Sequence, residues 1–244
     1  MARLFEDDFE TGDLSKWSAQ AVDTDCELIM QSTIKNRGNY ALKAISKGTA
    51  ANQRAQARIT VGEQSELFAR GYFHIEKFDP EDAMDRCMLI SFWTAEAIHS
   101  CGIEYSGGKV LYSVRYRDSA DNFKVAYSTT EVEKGKMFAL ELHIKSGELI
   151  EVFVNNEELI TLTDVKAQTF SEVRFGNSCT GMSGIETITY ADDAAVDTEY
   201  IGLIPPPPTT AETMSEMMYT MISMMMVVMI IRMMAGMMKG LKKS

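Results

Sequence analysis

Residues from Leu4 to about Tyr200 predict an all-β chain, an antiparallel sandwich, and three observations carry that reading. Hydrophobicity alternates with a period of two in many short runs. Turn signals separate these runs roughly every 8–15 residues, and no window shows a sustained helical period. In Arg54–Val61, Ala55, Ala57, Ile59 and Val61 share one face while Gln56, Arg58 and Thr60 take the other. Met137–Ile144 repeats the pattern: Phe138, Leu140, Leu142 and Ile144 face inward, Glu141 and His143 outward. Similar runs are Phe68–Glu76, Met88–Thr94, Ile103–Tyr105, Val110–Arg117, Leu149–Val154, Val173–Gly176 and Ile185–Ala191. Gly107-Gly108, Ser146-Gly147 and Asn155-Asn156 are the hairpin signals between them.

Beyond this body the composition changes. Pro205–Pro208 cannot join a sheet and favours a stiff polyproline spacer. Met217–Met238 then reads MMYTMISMMMVVMIIRMMAGMM, with Arg232 as its one charge. As a helix it is roughly 33 Å long, enough to cross a hydrocarbon core of about 30 Å. The expected organisation is a β-sandwich over 1–202, a Pro-rich stalk over 203–212, and a single hydrophobic helix with a basic tail over 213–244.

Three readings of that helix are available. As a membrane anchor, Arg232 snorkels to the headgroups and Lys239, Lys242 and Lys243 mark the inner side, leaving the β-domain on the outer surface. As an oligomer core, Met217, Met221, Met224, Val228 and Ile231 follow alternating four- and three-residue steps, as a bundle seam does. A buried helix in a water-soluble chain ranks last, because the proline stalk separates it from the core. The opening MARLFEDDFE lacks the apolar stretch of a signal peptide. A virion component assembling on an internal membrane reconciles that with the anchor.

Charge limits the partners. The chain of 244 residues carries −11. Residues 201–244 hold four Lys/Arg against two Glu, which leaves −13 on residues 1–200. Such a body repels phosphate backbones, so nucleic acid is excluded as a partner. Cys26, Cys87, Cys101 and Cys179 have no metal spacing. Cys87 and Cys101 are the best-placed pair for neighbouring strands, with buried free thiols the alternative.

Two end motifs, Phe5-Glu6-Asp7-Asp8-Phe9-Glu10-Thr11-Gly12-Asp13-Leu14-Ser15-Lys16-Trp17 and Ile188-Thr189-Tyr190-Ala191-Asp192-Asp193-Ala194-Ala195-Val196, resemble the first and last strands of concanavalin A-like, LamG-type jelly rolls. Leu149–Leu159 resembles the hairpin common in that group, with Asn156 in place of its glycine. The resemblance implies a jelly roll over about residues 4–200, whose first and last strands pair. It also implies a structural calcium held by carboxylates such as Asp8 and Asp192, since hard oxygen ligands suit that ion.

Relatives of this fold include glycoside hydrolases and polysaccharide lyases. The hydrolase pattern E-x-D-x-x-E is absent. The lyases use Arg, Gln/His and Tyr, for which Arg70–His74 and Val114–Arg117 are the nearest material, without a residue-by-residue match. The expectation is therefore a non-enzyme: a membrane-anchored recognition or structural module, homo-oligomeric through its helix, with glycan or other structural proteins as partners. A structural virion protein is the first alternative, and a polysaccharide lyase or glycoside hydrolase the second. Glycan recognition needs aromatic faces beside polar groups. Tyr72, His74, Trp93, Arg115 and Arg117 are the candidates, although Trp93 suits the core better than a ligand platform, and Arg115 and Arg117 point opposite to Tyr112 and Tyr116.

Overall fold

A computed structural model describes residues 3–83, 85–94, 98–205 and Met226. Met217, Met221, Met224, Val228, Ile231 and Arg232, and with them the expected anchor and bundle seam, lie outside the described residues. Among the described residues no helix is long and apolar enough to cross a membrane. The sandwich lies within a unit spanning Met1–Leu203.

Among the described residues fifteen strands build it. They are β1 (Phe5–Asp7), β2 (Ala19–Val22), β3 (Cys26–Gln31), β4 (Ala41–Ser46), β5 (Asn52–Gln64), β6 (Glu66–Lys77), β7 (Arg86–Trp93), β8 (Ile98–Ser106), β9 (Lys109–Arg117), β10 (Phe123–Glu131), β11 (Met137–Lys145), β12 (Leu149–Val154), β13 (Glu157–Leu162), β14 (Phe170–Thr180) and β15 (Thr187–Asp197). One sheet runs β13-β12-β11-β6-β15-β4-β3, with β1 added along β15. The other, seven-stranded, runs β10-β9-β8-β7-β14-β5-β2. All pairings are antiparallel, the first strand pairs with the last (Phe5 opposite Val196), and the molecule is a two-sheet sandwich.

Alternation explains the core. Ala55, Ala57, Leu140, Leu142 and Ile144 are wholly buried between the sheets, along with Phe73, Ile90, Phe92, Val173 and Phe175. The hairpin after β12 turns through Asn155 (φ 52°) and Asn156 (φ 68°). Asparagine tolerates that left-handed backbone, so a two-residue turn forms without glycine. At the N-terminus Asp7 is buried and accepts hydrogen bonds from Trp17 Nε1 (2.7 Å) and the Phe9 amide (3.0 Å). That fixes Phe5, Phe9 and Trp17 in one aromatic cluster, reaching Phe175.

The four cysteines are buried free thiols. The pairing of Cys87 with Cys101 is corrected by register: Cys87 faces Ile103 on β8, and Cys101 faces Ile90 because of a bulge in β7. The cysteine opposite Cys87 is Cys179, on β14. Burial pushes the Cys87 thiol up, which keeps it protonated.

Candidate functional site

Each sheet has an outer face, and the two differ. On the eight-stranded sheet, Phe68, Arg70, Tyr72 and His74 of β6 lie beside Glu141 and His143 of β11 and Tyr190 and Asp192 of β15. The chain leaving β15 covers part of this face. Glu141 accepts the amides of Ile201 and Gly202, both at 2.9 Å, and Arg70 donates to the Gly202 carbonyl at 2.8 Å. The Tyr200 ring meets Phe68 and Phe153 edge-on. Arg70 also lies 5.2 Å from the Tyr72 ring centroid, and His74 packs edge-on against Tyr190. Glu141 and the Arg70 terminal nitrogens are thus engaged by the covering segment and β15, while Arg70 Nε and His74 Nδ1 are buried without a hydrogen-bond partner.

The outer face of the seven-stranded sheet has no such clasp among the described residues. Cross-strand register places Arg58, Arg174, Ser91, Ser100, Arg115 and Val125 in one row over β5, β14, β7, β8, β9 and β10. The neighbouring row runs Tyr127, Ser113, Gly102, Met88, Ser178 and Arg54, and a bulge in β14 carries the Gln56–Gly176 pair out of it. Ser91, Ser100, Ser113 and Gln56 are buried, although they point away from the core. Short side chains thus form a floor among long ones. Gly176 (φ 119°) is obligatory there, because a Cβ would lie 2.4 Å from the Ala55 carbonyl oxygen.

Arginine is concentrated on this face: Arg54, Arg58, Arg86, Arg115, Arg117 and Arg174, with Glu104 and Glu172 among them and Asp23 and Asp121 paired to Arg54 and Arg117. On a body carrying −13, this is a local reversal of sign. Arg115 lies along the sheet over the small residues Gly102 and Ser113 and forms two hydrogen bonds with Glu104, at 3.0 and 2.8 Å. Tyr127 donates its phenolic hydrogen to the same carboxylate at 2.8 Å. Burial, followed by this bond, raises the Tyr127 pKa, so the resting group is the phenol. Arg86 stands directly across from Glu104, and burial followed by the Arg115 charge lowers its pKa. Phe123, half exposed, lies 5.5 Å from both the Arg115 and Arg117 guanidiniums. Across the sheet, the Arg174 guanidinium lies 3.3 Å over the Trp93 ring.

The five expected ligand residues are therefore not one set. Tyr72 and His74 lie on the partly covered face. Trp93, Arg115 and Arg117 lie on the opposite side of the sandwich, with Trp93 on the outer face rather than in the core. Arg115 and Arg117 do oppose the buried Tyr112 and Tyr116. Sequence reasoning missed Tyr127, Glu104, Arg86, Arg174, Gln56 and Phe123. For Arg174 and Gln56 the alternation of β14 and β5 was the available signal.

The calcium expectation meets an unsuitable donor set. Asp192 Oδ2 accepts the amides of Asn36 (2.8 Å) and Arg37 (3.2 Å), and its Oδ1 accepts that of Asp193 (2.8 Å). Asp8 is exposed, and its Oδ1 lies 3.5 Å from the Lys16 ammonium. Hydrogen-bond donors occupy the places a cation would need, so Asp8 and Asp192 do not fit a bridging calcium. Among the described residues no group of three or more His, Cys, Asp or Glu is placed to hold a metal.

Asp192 instead yields a pH prediction. Burial, followed by the adjacent Asp193, pushes its pKa up to about 7. From about pH 4 to about pH 7 the folded chain holds a proton that the unfolded chain releases, so this group makes stability fall as pH rises through that window. The expected slope amounts to a few kcal/mol at most. Urea melts from pH 4 to 8 measure it, and Asp192→Asn should flatten the curve; parallel curves for the two proteins would refute the assignment.

No protein-family model matches the sequence, and no curated protein matches it in sequence. Solved structures do match the fold. The chain is similar to Cip1, a cellulose-induced protein, at 17% identity and TM-score 0.62, over 82% of this chain and 100% of that one. It is similar to an endo-β-1,4-glucuronan lyase from the fungus Trichoderma reesei at 15% identity and TM-score 0.61, over 81% and 96%. A sialidase matches at 13% identity and TM-score 0.57, over 80% of this chain but 18% of that one. These likenesses establish the class: a jelly-roll sandwich of the concanavalin A-like fold. They also correct the expectation of a non-enzyme, because the fold is shared over nearly the whole length of a polysaccharide lyase.

Proposed function

We propose that this chain is a carbohydrate-active protein that binds an acidic polysaccharide across the outer face of its seven-stranded sheet and cleaves it by β-elimination. The observation that carries the reading is the arginine-lined face, where the exposed Tyr127 bonds to the buried Glu104 and Arg115 pair, on an otherwise acidic body. Guanidinium groups match carboxylates in shape and charge, and a half-exposed Phe123 suits the C–H surface of a sugar ring.

In the elimination, a uronate loses its C5 proton, the electron pair forms C4=C5, the C4–O bond breaks, and the leaving oxygen takes up a proton. Arg86 and Arg115 place positive charge where the uronate carboxylate sits, which makes the C5 proton more acidic. Tyr127 takes that proton as its own shifts along the 2.8 Å bond to Glu104. Return of the proton through Tyr127 to the leaving oxygen closes the balance, so no oxidant is consumed.

The test is incubation of the full chain with glucuronan, alginate and a neutral glucan, following the ultraviolet absorbance of the unsaturated uronate. Absorbance should rise with a polyuronate alone, and more slowly as salt screens the arginines. No rise with either polyuronate would refute the lyase reading. Support for a membrane tether rests on the length and apolarity of Met217–Met238. Detergent-dependent solubility that disappears on deleting 213–244 would bear it out.

A further inference from the structure

We propose that Gln56, Arg58, Arg174 and Trp93 form a second anionic-sugar subsite, remote from Tyr127, that makes the protein select long polyuronate chains over short ones. The inference rests on the acidic-polysaccharide reading above and adds which part of the face grips the chain away from the reacting bond.

Unpartnered polar atoms mark the place. Gln56 is wholly buried, and neither its Oε1 nor its Nε2 has a hydrogen-bond partner in the fold. Trp93 Nε1 and Arg58 Nε are likewise buried without partners. Buried polar groups in native proteins are paired in the great majority of cases, so a group of them on one outer face is what a polar ligand leaves behind when it is absent. Arg174 stands directly opposite Arg58 and diagonal to Gln56, and its guanidinium lies folded onto the Trp93 ring. Arg174 Nε also donates to Glu172, and swinging the guanidinium off the indole uncovers the ring. The subsite then offers two guanidiniums against Glu172, an amide able to donate and accept, and an indole N–H. That set fits one carboxylate with neighbouring hydroxyls.

Distance supplies the chain-length dependence. Gln56 on β5 and Tyr127 on β10 lie five strand spacings apart across the sheet, or roughly 24 Å at about 4.8 Å each. A short oligosaccharide placed at Tyr127 does not reach Gln56, whereas a polymer lying across the strands does.

The experiment compares wild type, Gln56→Leu and Arg174→Met in binding to glucuronan polymer and to its short oligomers, by affinity electrophoresis and calorimetry, with thermal melts alongside. Polymer affinity should fall about tenfold in each variant, from the loss of hydrogen bonds to a charged group. The preference for polymer over oligomer should fall by the same factor. Gln56→Leu should melt at or above the wild-type temperature, because it removes an amide with no partner in the fold. An unchanged polymer preference in both variants overturns the subsite, and so does a lowered melting temperature for Gln56→Leu, which would place the amide in the fold's own bonding. Failure of wild type to bind any polyuronate is a separate result, and it overturns the functional reading itself.

Discussion

Replacing Arg115 with methionine should lower the stability of the sandwich by about 3 kcal/mol, near the lower end of the range for breaking a buried ion pair. Glu104 is wholly buried and receives two of its hydrogen bonds from Arg115. Without them its charge keeps the Tyr127 hydroxyl and the field of Arg86 across the strand, and that remnant places the loss at the low end. The destabilisation comes from the stranded carboxylate, not from the methylenes, which methionine largely replaces. Urea denaturation should therefore show a lower midpoint for Arg115→Met and a substantial recovery when Glu104→Leu is added, because removing both charges also removes the desolvation cost. A double variant as unstable as the single one would show that packing, not charge, governs this site.

That cluster also shows how far the sequence could be read. Strand alternation and the Asn155-Asn156 turn follow from local rules, side-chain period and the tolerance of asparagine for positive φ, whereas the pairing of Phe5 with Val196 follows from the resemblance of the end motifs. Which outer face carries the proposed site does not follow from those rules. Arg70-Gly71-Tyr72-Phe73-His74 and Val114-Arg115-Tyr116-Arg117 alternate equally well, and each presents arginine on one side. What separates them is a long-range event, the return of Tyr200–Gly202 over β6 and β11, where Glu141 and Arg70 hold it. Glu104 and Arg115 were equally hidden. The Gly107-Gly108 turn sets Glu104 opposite Leu111, so their contact depends on the arginine arm crossing the small residues Gly102 and Ser113. Bulges in β7 and β14 then shift the register by a residue, which an alternation count cannot see.

Tyr127→Phe should reduce polyuronate cleavage by about 10²–10⁴-fold, the usual contribution of a placed proton-transfer group. The substitution removes one oxygen and keeps the ring. Glu104 retains both hydrogen bonds from Arg115, so the fold should lose no more than about 1 kcal/mol. Polymer binding should be nearly unchanged, because the guanidiniums that meet the carboxylates are untouched. The expected pattern is thus a fall in kcat with little movement in KM, as when an interaction made only in the transition state is removed. A matching fall in affinity would make Tyr127 a binding residue. Full activity in the variant would move the proton transfer to another group on the face. Glu104→Gln separates these outcomes further: it keeps the shape of the cluster but takes away the acceptor of the phenolic proton. If the Tyr127–Glu104 hydrogen bond carries the proton, that variant should lose cleavage to a similar degree.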